Sequence, residues 1–175
     1  PAPLNTDAPG DNREDVQPQI ATDNSGNWVV VWSGNSSGTD GAIYCARSSD
    51  DGVAWTTPVD LTAASPGAAG DDQYPSIETD GAGHWIAVWP SAFTFQHPYV
   101  GTYSDLYISR STDLGATWTT PAVLHQSGGC FYTATGYCRY DALPKIVWGG
   151  GGNWLALWAN HGMSHSQAIS GIAYS

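Results

Sequence analysis

Residues 111–118 read Ser-Thr-Asp-Leu-Gly-Ala-Thr-Trp, and residues 48–55 read Ser-Ser-Asp-Asp-Gly-Val-Ala-Trp. Both follow Ser-x-Asp-x-Gly-x-x-Trp, Asp50 and Asp113 stand 63 positions apart, and each stretch runs on into Thr-Thr-Pro. The pattern suits a tight turn between two strands. The Asp carboxylate accepts backbone N–H groups, the Gly takes a positive φ, and the Trp packs back over the hairpin. Ser48, Asp50, Gly52 and Trp55, with Ser111, Asp113, Gly115 and Trp118, are read as structural residues with no catalytic chemistry implied.

Working outward, a larger unit recurs three times. It reads D-V-Q-P-Q-I-A-T-D-N-S-G-N-W-V-V-V-W (15–32), D-Q-Y-P-S-I-E-T-D-G-A-G-H-W-I-A-V-W (72–89) and D-A-L-P-K-I-V-W-G-G-G-G-N-W-L-A-L-W (141–158). Each has Asp-x-x-Pro, a short strand, a Gly-containing turn and a Trp-x-x-x-Trp strand. Spacings of 57 and 69 residues fit a repeat the size of one supersecondary unit. In the first unit the expected strands are Gln19–Thr22, Trp28–Ser33, Ala42–Ser48 and Trp55–Leu61, with turns at Asp23–Asn27 and Ser49–Ala54. Trp28 and Trp32 share one face of their strand and Val29 and Val31 the other, so both faces demand cover.

These features resemble the Asp-box, or bacterial neuraminidase repeat, of the sialidase-like β-propellers. Residues 111–118 match that family's S-x-D-x-G-x-T-W in full. The first copy departs at Ala54, where Thr is usual, which weakens one turn contact and leaves the assignment standing. The resemblance implies an all-β chain, a β-propeller of four-stranded antiparallel blades with Asp-box hairpins. About three blades are present, half of the six that the family implies. The units fall at approximately 13–61, 70–124 and 139–175, with 1–12 completing a preceding blade, because Pro1-Ala-Pro-Leu aligns with Pro58-Val-Asp-Leu and Pro121-Ala-Val-Leu. A three-blade arc exposes open sheet faces. The sequence is therefore expected to be part of a longer chain, or to close by self-association.

Composition narrows the function. Of 175 residues only 12% are charged, and 5 basic against 16 acidic residues give a formal charge of −11. Such a field repels a phosphate backbone and an anionic membrane surface, so nucleic acid is not an expected partner. No apolar run reaches the roughly 18–20 residues of a membrane span. An extracellular or cell-surface location is expected, and Cys130 and Cys138, flanking a Phe/Tyr/Gly-rich loop, are disulfide candidates. Cys45, inside a strand pattern, reads as a buried free thiol. Asn35-Ser-Ser is a glycosylation sequon on a loop.

Irregular chemistry gathers in the loops of the rim opposite the boxes, the rim that carries the active site in the resembled family. The candidate ligand residues there are Phe93, Phe95, His97, Tyr99, Tyr103, His125, Phe131, Tyr132, Tyr137 and His161. Flat rings with a few polar groups suit stacking on sugars, although the same aromatics could pack into loop cores. Asp15, Asp72 and Asp141 top the innermost strands. They either face inward as a cation arc suited to calcium, or cap the turn before the strand. No cofactor is required, and calcium is the one cation considered.

A sialidase, as the family implies, holds its substrate carboxylate with three arginines and uses a Tyr–Glu nucleophile pair with an Asp acid/base. Only Arg13, Arg47, Arg110 and Arg139 occur here, and Arg47 and Arg110 directly precede the boxes, on the other rim. Glu14 and Glu78 are the sole glutamates. The expectation is thus a non-catalytic extracellular propeller module that binds glycans or surfaces or serves in structural assembly. The alternative is an exo-sialidase or related glycoside hydrolase whose catalytic arginines lie outside this segment.

Overall fold

The computed structural model describes Leu4 and residues 14–35, 41–65, 70–96, 100–127, 140–161 and 167–174; of these, 35, 93–96, 100–103, 140, 161, 167, 173 and 174 are described in backbone only. Twelve strands are present among them, and no helix. The first antiparallel sheet runs β1 (Asp15–Thr22), β2 (Trp28–Asn35), β3 (Gly41–Ser48) and β4 (Val59–Asp60) in chain order. In the second, β5 (Asp71–Asp72) and β6 (Ser76–Thr79) both pair with β7 (Trp85–Gln96), followed by β8 (Val100–Ser111) and β9 (Ala122–His125). The third comprises β10 (Tyr140–Gly150), β11 (Asn153–His161) and β12 (Gln167–Tyr174), and one parallel bridge, Tyr140 to Ser104, ties it to the second.

The expected strands of the first unit all appear, with two changes. The first strand begins at Asp15, four residues early, and the fourth shrinks to Val59–Asp60. Both have local causes. A bulge lets pairing continue past Pro18 toward Asp15. At the other end, Trp55 is drawn into the preceding turn, where its indole donates to the Gly52 carbonyl at 3.1 Å.

The sheets stack face to face, and the alternation within each Trp-x-x-x-Trp strand decides which neighbour each side chain meets. Val29 and Val31 of β2 pack with Trp85, Ala87 and Trp89 of β7 in one buried cluster. Ile86 and Val88, on the other face of β7, pack with Trp154, Ala156 and Trp158 of β11 in a second. A third cluster of Val30, Trp32 and Ala46 lies on the outer face of the first sheet, with Leu4 against it. Leu155 and Leu157, which continue the Val29/Val31 series on the third sheet, are 41% and 37% exposed.

Candidate functional site

The site is built at the Asp-x-x-Pro entrance of each inner strand. In every sheet the residue before Pro takes a positive φ: 58° at Gln17, 49° at Tyr74 and 52° at Leu143. One extra residue enters the strand there, between Val16 and Gln19, between Asp72 and Ser76, and between Ala142 and Lys145. A one-residue slip moves a side chain to the opposite face of a sheet. The bulge thus turns each Asp onto the face that carries the second Trp of the neighbouring strand.

The carboxylates use that placement identically. Trp32 Nε1 donates to Asp15 Oδ1 at 3.0 Å, Trp89 Nε1 to Asp72 Oδ1 at 3.1 Å and Trp158 Nε1 to Asp141 Oδ1 at 3.1 Å, with a 17-residue separation each time. The first tryptophans differ: Trp28 Nε1 and Trp85 Nε1 are buried with no hydrogen-bond partner among the described residues. Asp15, Asp72 and Asp141 therefore have a role absent from both sequence readings, as receptors for an indole N–H within their own sheets. No described group of three or more His, Cys, Asp or Glu side chains could hold a metal ion.

Around this shared bond the three positions diverge. Opposite the Asp stand Gly34, Ser91 and Asn160. At Gly34 there is no side chain to donate, and a Cβ there would meet the Tyr44 ring at 2.8 Å. Asp72 is buried and its carboxyl is pushed up to about 7, first by loss of solvent, then by the charges of Asp60 and Asp71, against bonds from Ser91 and Trp89 that favour the anion. Asp141 is fully buried and has several partners. Besides Trp158, Asn160 Nδ2 reaches Oδ1 at 2.8 Å, His125 Nδ1 pairs with Oδ2 at 2.6 Å, and the Ser104 hydroxyl holds the Asp141 carbonyl.

His125 ends β9, and its side chain stays 38% exposed. Its ring lies 5.0 Å from that of Trp158, tilted by 44°. A buried carboxylate thus holds one imidazole nitrogen while an aromatic ring fixes the plane, which leaves the Nε2 edge as the outward, hydrogen-bonding edge. The sequence places His125 and Asp141 in separate groups; 16 residues apart, they are brought together because β9 and β10 both pair with β8, at Leu106 and Ser104.

Of the other rim candidates, Phe93 stands opposite Tyr103, and Phe95 opposite Gly101, on the β7–β8 hairpin, while His161 stands opposite Tyr140 on β11. His97, Tyr99, Phe131, Tyr132 and Tyr137 lie outside the described residues, as do Arg13, Arg139 and the disulfide candidates Cys130 and Cys138. Cys45 is a buried free thiol, pushed up to about 12 by burial and by Asp60 nearby.

On the opposite rim the octapeptide turns have the hydrogen bonds that their sequence demands. Ser48 Oγ donates to Asp50 Oδ1 at 2.7 Å and receives the Gly52 N–H at 3.0 Å, while Asp50 accepts the Ala54 N–H at 2.9 Å. In the second copy the corresponding bonds are 2.8, 3.0 and 2.9 Å, and Thr117 Oγ1 adds a bond to Asp113 Oδ2 at 2.6 Å. The Thr117 hydroxyl and N–H, with Ser111, hold the Asp113 carboxyl down at about 2. Trp118 repeats the role of Trp55, donating to Gly115 O at 3.2 Å.

Neither the family models nor the curated proteins compared with this chain gave a match. Solved structures do resemble it. A Hadza microbial sialidase aligns over 92% of this chain and 35% of its own at 16% identity, with a TM-score of 0.66. An endo-arabinase from Bacteroides thetaiotaomicron aligns over 89% and 55% at 16% identity and TM-score 0.58. An α-L-arabinanase from Penicillium chrysogenum, solved with arabinobiose, aligns over 91% and 45% at 13% identity and TM-score 0.53. The chain spans about a third to about half of these proteins, and the likeness establishes a sialidase-like propeller fold.

Proposed function

We propose that this chain is a propeller segment that recognises carbohydrate at the rim where the Asp-x-x-Pro strands begin, without cleaving it. The observation that carries the proposal is His125, partly exposed yet anchored through Nδ1 to the buried Asp141, with its ring tilted against that of Trp158. A fixed donor or acceptor edge beside an aromatic face is what a sugar hydroxyl and ring require, and its orientation is set before any ligand arrives. Likeness to proteins named as a sialidase and arabinanases supports a glycan as the ligand class. No cofactor is needed for such binding. Secretion and further blades completing a six-bladed ring stand as parts of the same proposal; calcium at Asp15, Asp72 and Asp141 is proposed as weak binding only, because each Oδ1 already accepts an indole N–H.

The second reading is a glycoside hydrolase, favoured by those same names. Against it, Arg47 and Arg110 lie at the ends of β3 and β8 beside the octapeptide turns, away from His125. The test is titration of sialylated and arabinose-containing oligosaccharides against the protein, with chromatography of the same mixtures. Saturable binding with intact sugars, weakened about tenfold by His125→Ala, is expected. Released monosaccharide would favour the hydrolase, and absence of binding across the series would overturn both readings.

A further inference from the structure

The two interfaces between described sheets are built alike. The earlier sheet offers an aliphatic face, Val29, Val31 and Ile43 in one case and Ile86, Val88 and Leu106 in the other. The later sheet offers a tryptophan face, Trp85 and Trp89, then Trp154 and Trp158. All six aliphatic side chains are at most 4% exposed. A leucine from the short fourth strand of the earlier sheet joins each seam: Leu61 lies in the first cluster, and Leu124 packs against the second.

The outer faces of the third and first sheets each carry one half of this arrangement. Val31 pairs with Cys45 and Ser33 with Ile43, and at the same places in the repeat Leu157 pairs with Gly171 and Ala159 with Ile169. Leu155, Leu157 and Ile169 are thus the counterparts of Val29, Val31 and Ile43. All three are exposed, Ile169 by 79%. The first sheet presents the tryptophan half. Leu4, the counterpart of Leu61 and Leu124, packs there against Val30 and Trp32, and Trp55 joins it as Trp118 joins the first cluster. On this face Ile20 is 55% exposed, whereas its counterparts Ile77 and Ile146 are buried. The strand edges complete the pattern. β3 and β8 carry β4 and β9 on their outer edges, while the corresponding edge of β12 has no partner among the described residues.

We propose that the third sheet docks on the first sheet of a second copy of this chain, and that the segment carrying Leu4 in that copy pairs with the open edge of β12. Leu155, Leu157 and Ile169 then cover Ile20 and the Trp32 face. The Leu4 N–H donates to the Ile169 carbonyl, as Leu61 N–H donates to Ile43 at 2.8 Å. A second copy satisfies both halves at once, because each open face is the complement of the other. The contact is head-to-tail, and two copies joined at both ends make a ring of six sheets, within the roughly four to eight at which propellers close. The inference rests on the reading that further blades complete the ring, and it names their source.

The test is light scattering of the whole 175-residue chain over a dilution series, with oligosaccharide titration of the same samples. A mass of two chains is expected. Ile169→Lys should weaken association at least about tenfold, and Val53→Lys, on an exposed octapeptide turn, should leave it unchanged. Because Ile169 is exposed in the single chain, its substitution probes the contact without removing core packing. Amides of β12 directed away from β11 should be protected from hydrogen exchange in the two-chain species and lose that protection on dilution. A one-chain mass at every concentration, masses above two chains, or a pair that Ile169→Lys leaves intact would overturn the proposal. Oligosaccharide binding retained by a one-chain species would confine that failure to the assembly and leave recognition at His125 standing.

Discussion

Two histidines in this chain make the same bond in opposite settings. His84 pairs through Nδ1 with Asp80 Oδ2 at 2.5 Å, and His125 through Nδ1 with Asp141 Oδ2 at 2.6 Å. The first pair is local, four residues apart in an exposed turn, and Asp80 also takes the N–H groups of Ala82 and His84. In the first sheet Asp23 does the same with Ser25 and Asn27, so an amide serves where His84 stands. The second pair joins two sheets across a fully buried carboxylate that also holds an indole and an amide. A histidine replaceable by asparagine belongs to the turn. One supported by a buried network on one side and open to water on the other is available to a ligand.

The largest expected effect separates the two carboxylates. Asp141→Ala strands the buried donor of Trp158 and the half-buried donor of Asn160 and should cost about 3–5 kcal/mol, while Asp80→Ala, in an exposed turn, should cost about 1 kcal/mol. Denaturant unfolding of both variants checks this, and equal losses would dissolve the contrast between them.

Asp72 sharpens the comparison, because it holds its Trp as Asp141 does but has Thr62 at the position corresponding to His125. Its carboxyl sits at about 7, above the ordinary value of 3.8, so the folded state binds the proton more tightly than the unfolded chain. That contribution is fully present below about 3.8 and is lost as pH rises through about 7. Stability should therefore rise as pH falls from 8 to 5, by at most about 3 kcal/mol, and Asp72→Asn should flatten the trend. A flat profile for the unmodified protein would place the Asp72 carboxyl in the ordinary range.

The histidines themselves come next. His125→Ala should lower oligosaccharide affinity about tenfold, and His84→Ala should leave it unchanged. A loss in both would assign binding to the whole surface rather than to the His125 edge. Smaller still is the difference between the octapeptide turns. Thr117→Ala should lower Tm by roughly 1–3 °C and Ala54→Thr should raise it comparably, since the hydroxyl supplies the one bond that separates the two copies. Asp113, held at about 2, adds stability above about 3.8 that is lost as pH falls toward 2. The smallest effect belongs to calcium. With Oδ1 of each inner-strand Asp engaged by an indole, exchanging chelator for millimolar calcium should move Tm by less than about 1 °C. A larger rise would restore the cation arc.

Much of this architecture was legible before any coordinates. The Ser-x-Asp-x-Gly-x-x-Trp turns, the strands that flank them and the two-faced Trp-x-x-x-Trp strands all depend on neighbours a few residues away, and such contacts leave a pattern in the sequence. Ala54 even announced the bond that its turn lacks. The 17-residue spacing from Asp to the second Trp was equally visible but mute. A strand pattern does not reveal the inserted residue, at positive φ before each Pro, that brings Asp and Trp onto one face. Likewise, nothing in the chain order marks His125 as the partner of Asp141. Sequence by itself determined the repeating unit, because its bonds are local. Which carboxylate is buried and which histidine is displayed were decided only when the sheets stacked, because burial belongs to the contact between units.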